Sequence, residues 1–271
     1  MPEGHTLHRL ALELTDAFAG SVLTASSPQG RFAVGAARIN GRFFVAADAY
    51  GKHLLLDFDG IEESVHIHLG LYGRLTLLIG TGHPVTGAVR LRLESNAHTA
   101  DLRGPTSCVL YHPDEVAALL ARLGPDPLRA DADPEAAWRR ISASRTAIAA
   151  QLMNQEVLAG VGNIYRAEVL FRHRLDPFMP GTALDKTTWD AIWADIVNLM
   201  KTGVSTGKID TIDVEHEPEA MGRPPRNDVH GGEVYVYRRA GQECLVCGTA
   251  VRTKVLSGRN LFWCPACQKQ L

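Results

Sequence analysis

Residues 244–267 read CLVCGTAVRTKVLSGRNLFWCPAC, two Cys-x-x-Cys pairs with 16 residues between them. Each pair can grip one side of a tetrahedral ion from a tight knuckle, and the spacing falls in the range of structural zinc sites. Cys244, Cys247, Cys264 and Cys267 are therefore expected to hold one zinc ion. Four thiolates leave no open coordination position, so this metal should organise the chain rather than perform chemistry. Between the pairs, Val251 to Val255 and Leu261 to Trp263 read as the strands of a β-hairpin around a Ser257-Gly258 turn. Arg259 then stands near the tip, either as an exposed turn residue or as a clamp for phosphate. The fifth cysteine, Cys108, sits in an apolar run and reads as a buried thiol.

Working back from the finger, Thr202 to Gly232 is rich in Gly, Pro and charge and reads as a long loop. The preceding segments are helical in texture: Glu135 to Ile141, Thr146 to Met153, Gly162 to Arg172 and Thr187 to Met200. Residues 154–172, NQEVLAGVGNIYRAEVLFR, contain a helix end, two glycines and a second helix start. Asn163 there is either a helix cap or, at a helix N-terminus with glycines beside it, part of a phosphate cradle. Gly124 to Pro134, with Pro and Asp and no apolar period, reads as a linker.

From Val22 to Tyr111 short runs separated by Gly, Asp and Asn predict strands at Phe43 to Ala47, His53 to Phe58, Val65 to Leu69, Leu75 to Ile79, Val89 to Leu93 and Cys108 to Tyr111. In the fifth, Val89, Leu91 and Leu93 alternate with Arg90, Arg92 and Glu94, the period of a half-buried strand with its charges facing solvent. Leu7, Leu10, Ala11, Leu14 and Phe18 predict an amphipathic helix from Thr6 to Phe18, and Pro113 to Leu123 a short one. The expected fold class is α+β. An antiparallel β-sandwich with an N-terminal helix occupies residues 1–124 and a linker 125–133. A helical domain spans 134–232 and the four-cysteine finger 233–271.

The chain has 271 residues, 45% hydrophobic and 21% charged, which excludes wholesale disorder. No apolar run approaches the roughly 18 residues of a membrane span, and the N-terminus lacks a signal-peptide pattern, so a cytoplasmic address and no membrane partner are expected. The net charge of −2 conceals two basic segments. From Tyr235 onward six basic residues face only Glu243, and from Arg139 to Arg174 six face Glu156 and Glu168. Such segments are either solvated faces or a footprint for phosphates.

The chain begins Met-Pro-Glu-Gly. Removal of Met1 would make Pro2 an N-terminal secondary amine, with a pKa near the α-amino value of about 8 and so partly uncharged at neutral pH. Attack on an aldehyde-level sugar carbon would give a cationic iminium, and Glu3 could exchange protons beside it. Lys52 opens an apolar strand and by itself reads as a solvated lysine. His66 and His68 alternate in the next strand and read as hydrogen-bonded strand histidines rather than metal ligands.

MPEG, AYGKHLLLDF, HLGLYGRL, LGPDPL, QEVLAGVGNIYRAEVLF, VYVYRRAGQEC and the finger occur in an order that resembles the formamidopyrimidine-DNA glycosylase and endonuclease VIII family nearly end to end. The resemblance implies a helix-two-turns-helix motif in the helical domain and a bifunctional DNA glycosylase and abasic-site lyase of base excision repair. In it Pro2 attacks C1′, Glu3 acts as acid and base, and β,δ-elimination cuts the strand. It implies that Lys52 contacts the phosphate and sugar at the lesion, and that Asn163 and Arg259 grip flanking phosphates. Leu71 and Tyr72 would fill the hole left by a flipped base. The partner implied is damaged DNA, double-stranded with single strands left open, and the protein is expected to act as a monomer.

Two departures bear on substrate. Leu102-Arg103-Gly104-Pro105-Thr106 stands where the oxidised-purine branch carries an Arg-Phe pair, and Thr6 replaces the family's usual Glu. The first, together with the Leu71-Tyr72 wedge, favours oxidised pyrimidines over 8-oxoguanine. An 8-oxoguanine-preferring glycosylase, an abasic-site lyase with little base excision and a non-catalytic zinc-ribbon DNA binder remain the alternatives.

Overall fold

The computed structural model describes residues 2–227 and 232–269. The fate of Met1, residues 228–231 of the expected loop and the last two residues of the finger span lie outside the described residues. The chain divides into two compact units, Met1–Arg122 and Leu123–Leu271.

The first unit begins with α1 (Gly4–Phe18), two residues earlier than the apolar period indicates. It continues through β1 (Val22–Ser26), α2 (Ala33–Ile39), β2 (Arg42–Tyr50), β3 (His53–Phe58), β4 (Ser64–His68), β5 (Arg74–Ile79), β6 (Val89–Glu94), β7 (His98–Arg103), β8 (Ser107–Tyr111) and α3 (Pro113–Arg122). The eight strands form one continuous antiparallel sheet in the order β5-β7-β6-β1-β2-β3-β4-β8 rather than two separate sheets. Its halves meet at β1 and β2, which share only the pairs Val22↔Phe43 and Leu23↔Arg42. One core takes Leu91, Leu93, Ala100 and Leu102 from one half, Leu54, Leu56, Val65 and Ile67 from the other, and Leu7, Leu10, Leu14 and Phe18 from α1. Burying each such side chain is worth about 1.5–3 kcal/mol, so packing, more than helix propensity, fixes where α1 lies.

β6 departs from simple alternation. A register shift falls between Val89 and Leu91, and Arg92, expected at the surface, is buried. Its guanidinium donates to both carboxylate oxygens of Asp101 at 2.7 and 2.8 Å. Burial alone would raise the Asp101 pKa, but hydrogen bonds and charge from Arg92, with Arg103 beside them, hold it below the ordinary value.

The second unit contains α4 (Pro134–Ser142), α5 (Ile148–Gln151), α6 (Asn163–Arg172), α7 (Lys186–Thr206), α8 (Pro218–Met221), β9 (Arg252–Leu256) and β10 (Arg259–Trp263). The stretch read as a linker is packed: Gly124 to Pro127 are buried, Gly124 N–H donates to the Gln155 carbonyl and Ala159 N–H to that of Pro125. A methyl group on Gly124 would lie 2.4 Å from Val157 backbone atoms, so the glycine is needed for close approach. α7 runs six residues past the expected end, to Thr206, and stops at left-handed Gly207. The expected loop therefore starts later and carries α8. The helices and the finger are not separate bodies, since Ile141, Tyr165, Leu170 and Trp189 share a core with Tyr237, Val251, Leu261 and Cys264.

Candidate active site and zinc centre

Pro2 is half-buried and Glu3 fully buried at the start of α1. Glu3 is the N-cap residue by position, and its carbonyl accepts from Thr6 N–H at 2.9 Å. Its carboxylate makes no capping bond to the helix, so this acid is not there to close the helix end. Thr6, where the family usually has Glu, places its hydroxyl 3.2 Å from His5 Nε2.

Two contacts fix the direction of α1 along β2. Phe18 meets Phe44 edge-on with ring centroids 6.0 Å apart, and Ala47 N–H donates to Thr15 Oγ1 at 2.9 Å. Stepping back along α1 therefore means stepping forward along β2. From Thr15 to Gly4 the helix rises about 16 Å at 1.5 Å per residue. From Ala47 to the top of the reversing turn, where Gly51 and Lys52 stand at one level, β2 advances about 13 Å at 3.3 Å per residue. Lys52 thus lies at the level where α1 begins, at the same end of the unit as Pro2 and Glu3. It occupies the second position of the two-residue turn between β2 and β3, closed by the pair Tyr50↔His53, rather than the strand itself. Gly51 supplies the positive φ of 57° at the first position.

Beside this turn stand three histidines. His53 and His68 are paired across β3 and β4, His53 Nδ1 lies 2.9 Å from His66 Nε2, and His66 stacks flat on Tyr111 at 4.4 Å. Burial, helped by the charge of its neighbours, lowers the His53 pKa to about 3. Burial and His68 lower His66 to about 4. They form a neutral, stacked cluster, as hydrogen-bonded strand histidines should.

Leu71 and Tyr72 lie in the turn between β4 and β5, Leu71 40% and Tyr72 88% exposed. The turn is held by its backbone despite that exposure. Gly73 N–H donates to the Leu69 carbonyl, and a Cβ on Gly70 would fall 1.9 Å from Thr106 Oγ1. Hence the apolar turn is braced by the 104–106 loop. Arg103 at that loop's edge donates to Asp101 at 2.7 Å and to the Thr86 carbonyl at 2.9 Å, which ties it to its own sheet. Cys108 is buried, and burial pushes its thiol up to about 12, as an inert core cysteine requires.

In the second unit Asn163 is the first residue of α6 and is buried. Its amide donates to the Asn260 carbonyl at 2.9 Å, and its oxygen accepts from buried Arg166. The side chain thus joins the positive end of the α6 dipole to the residue that follows Arg259. Asn163 and Arg259, 96 positions apart in sequence, are brought together. Ser257 and Gly258 have φ of 50° and 72°, the two positive values of a tight hairpin turn that matches strand twist. They set Arg259 beside the tip. Gln155 staples the turn before α6, donating to the Met153 and Val161 carbonyls and accepting from Gly160 N–H.

The sequence reading missed Glu168. Its fully buried carboxylate accepts from Thr211 Oγ1 and from Tyr235, Val236 and Tyr237 N–H at 2.7–2.9 Å. It locks α6 to the VYVY segment that leads into the finger. The signal available was an acid set between Ala167 and Val169 in an apolar run that continues through Leu170 and Phe171.

The four cysteine Sγ atoms all lie within 4.8 Å of one another. A regular ZnS4 tetrahedron with Zn–S of about 2.3 Å has sulfur separations of about 3.8 Å, and the Cys244–Cys267 and Cys247–Cys264 separations are 3.9 and 3.5 Å. Gly248 N–H donates to the Cys244 carbonyl, and Cys264 N–H to Gln268 Oε1, which shapes the two knuckles. The four cysteines form the site of one structural zinc ion.

Residues 1–108 match the formamidopyrimidine-DNA glycosylase N-terminal domain, 123–214 its H2TH domain and 241–270 the zinc finger found in FPG and IleRS. The chain is 50% identical over 275 residues to Endonuclease 8 1 of Mycobacterium tuberculosis, covering 99% of this chain and 100% of the relative. It is 32% identical to Probable endonuclease 8 2 of Streptomyces coelicolor, covering 99% and 94%. In fold it is similar to Lactococcus lactis Fpg solved with abasic-site DNA, with a TM-score of 0.80 at 20% identity over 99% of this chain and 100% of that one. Matched in all three segments, with the finger's cysteines clustered for zinc, the chain belongs to the formamidopyrimidine-DNA glycosylase and endonuclease 8 family of DNA-repair glycosylases.

Proposed function

We propose that this chain is a bifunctional glycosylase and abasic-site lyase that prefers oxidised pyrimidines in DNA. The observation that carries the reading is the register of α1 on β2, which sets Pro2, buried Glu3 and the Lys52 turn at one end of the first unit. The uncharged Pro2 amine attacks C1′ of a flipped nucleotide and the glycosidic pair leaves with the base. Glu3 protonates the sugar ring oxygen, which opens the ring and leaves a C1′ iminium. Loss of a C2′ proton then expels the 3′ phosphate by β-elimination, and δ-elimination releases the 5′ phosphate. Lys52 supplies positive charge to the phosphate at the lesion. In the second unit Asn163, the α6 N-terminus and Arg259 serve as phosphate contacts.

Two observations support the pyrimidine preference. Arg103 is committed to Asp101 and Thr86, so it does not play the part of the missing Arg-Phe pair. Exposed Leu71 and Tyr72 stand on a braced turn, as a rigid wedge should.

Borohydride trapping on duplexes carrying 5-hydroxyuracil, 8-oxoguanine or an abasic site, followed by peptide mapping, tests the reading. The expected adduct is on Pro2, strongest with 5-hydroxyuracil among the intact bases. An adduct on abasic DNA alone would reduce the activity to a lyase, and DNA binding without any adduct would overturn catalysis.

A further inference from the structure

Arg166 is a fully buried arginine on a helix whose residues from Asn163 to Phe171 are all buried. Its neighbours Ala167, Val169 and Leu170 are apolar. An apolar side chain would fill the position without taking a charge out of water, which is costly. What the guanidinium does there is reach back along the chain. It donates to the Ala149 carbonyl of α5 at 3.2 Å and to Asn163 Oδ1, three residues before it on the same face of α6.

That second bond decides which way the Asn163 amide faces. A guanidinium only donates, so it must meet the amide oxygen. On its other side the amide meets the Asn260 carbonyl, which only accepts and takes an N–H at 2.9 Å. With the amide turned over, N–H would face N–H and oxygen would face oxygen, so a single orientation satisfies both neighbours. An amide nitrogen carries two hydrogens, and Asn260 takes one. The other remains for an acceptor at the α6 N-terminus, where the helix dipole also favours an anion.

We infer that Arg166 is the positioning residue of this phosphate contact: anchored at Ala149, it fixes the Asn163 amide with its N–H side toward the phosphate and acts on DNA only through that amide. Without it the amide keeps one anchor, Asn260, and swivels about it. The inference rests on the phosphate reading of Asn163 and supplies the cause of its orientation.

The test is anisotropy at several salt concentrations, using the zinc-loaded full chain and a duplex with a tetrahydrofuran abasic analogue, which cannot form an imine. Asn163→Ala and Arg166→Met are each expected to weaken binding about tenfold, whereas Arg166→Lys, donor-only like arginine, stays within about threefold of the parent. Asn163 is neutral and Arg166 buried, so the log-log salt slope is unchanged in all three. The double variant Asn163→Ala/Arg166→Met binds no more weakly than Asn163→Ala alone. Without DNA, the Asn163 side-chain N–H pair, identified in a nitrogen–proton spectrum by its loss in Asn163→Ala, is protected from exchange in the parent and in Arg166→Lys. In Arg166→Met it exchanges freely. Arg166→Gln, too short to hold both Asn163 and Ala149, replaces the methionine variant if thermal unfolding shows that one does not fold, with the same expectations. A slope lowered by about one in Arg166→Met would make Arg166 itself a phosphate contact, and a further loss in the double variant would make its effect independent of Asn163. Either result overturns the inference, as does full affinity in Arg166→Met beside a weakened Asn163→Ala. Full affinity in Asn163→Ala overturns the phosphate reading of Asn163 and the inference with it, and shows itself without any change at Arg166.

Discussion

Pro2 and Glu3 divide the proposed chemistry in a way that substitution separates. Pro2→Gly puts a primary amine in place of the secondary one and loses the ring that makes a permanently cationic iminium, so trapped adduct and strand cleavage should fall by two orders of magnitude or more. Duplex affinity by anisotropy should be unchanged, and a parallel loss of affinity would assign Pro2 to binding instead. Asp101 illustrates the opposite kind of residue, costly to change yet distant in role. Asp101→Ala strands the buried Arg92 guanidinium and should lower stability by about 3–5 kcal/mol, read as the urea midpoint at constant slope. Only half of this pair could be seen in the sequence. Alternation sent Arg92 to the solvent face, because one strand's pattern contains nothing about the carboxylate that a neighbouring strand brings beside it. His66 likewise showed its strand and its partner's side, but not the flat stack on Tyr111.

At the scale of elements, what repeats was legible and what depends on partners was not. β3, at His53–Phe58, fell where its apolar run placed it, and the finger's hairpin was bounded to within two residues because cysteines and turn fix it from both ends. β7, HTADLR, escaped because its core face offers only Ala100 and Leu102, while Thr99, Asp101 and Arg103 fill the other. α2 escaped because Gly35 weakens a seven-residue helix. That glycine is required, since a Cβ there would lie 2.2 Å from the Phe32 ring. The end of α7 was read too early because Thr202 and Gly203 are weak helix formers, although Gly203 is buried inside the helix. The finger supplies the prediction at this scale. Arg259→Ala should weaken duplex binding and reduce the salt slope by about one while leaving the hairpin intact by zinc content. An unchanged slope would remove the phosphate assignment.

Across the whole molecule, the two units should respond to different stresses. Removing zinc deprives the second unit of the ion that joins Cys244 and Cys247 to Cys264 and Cys267, in a core shared with α6 and α7. Chelation should therefore quench the native Trp263 signal and abolish strand cleavage, with both restored by added zinc. The first unit carries the acid sensitivity. His53 and His66 have folded pKa values of about 3 and about 4, below the ordinary 6.5. Above 6.5 neither state binds a proton there, and stability is flat. As pH falls below 6.5 the unfolded chain takes protons that the folded cluster refuses, so stability declines until about pH 3–4. Thermal unfolding between pH 7.5 and 4.5 should show the decline, and His66→Phe should flatten it by preserving the stack without the titration. An equally steep profile in the variant would clear the histidines of responsibility.

Glu168 has a consequence for the order in which the second unit can assemble. Its four donors lie 43, 67, 68 and 69 residues further along the chain. On the ribosome α6 emerges long before Thr211 and the VYVY segment exist as partners. Until they arrive, burying that carboxylate would be prohibitively costly, and α6 must wait with its inward face wet. The loop between them has to close first, a slow, non-local step. α6 is thus held back until the chain has been synthesised through Tyr237, and a nascent chain that stalls before Tyr235 has no folded second unit to mistake for a finished one.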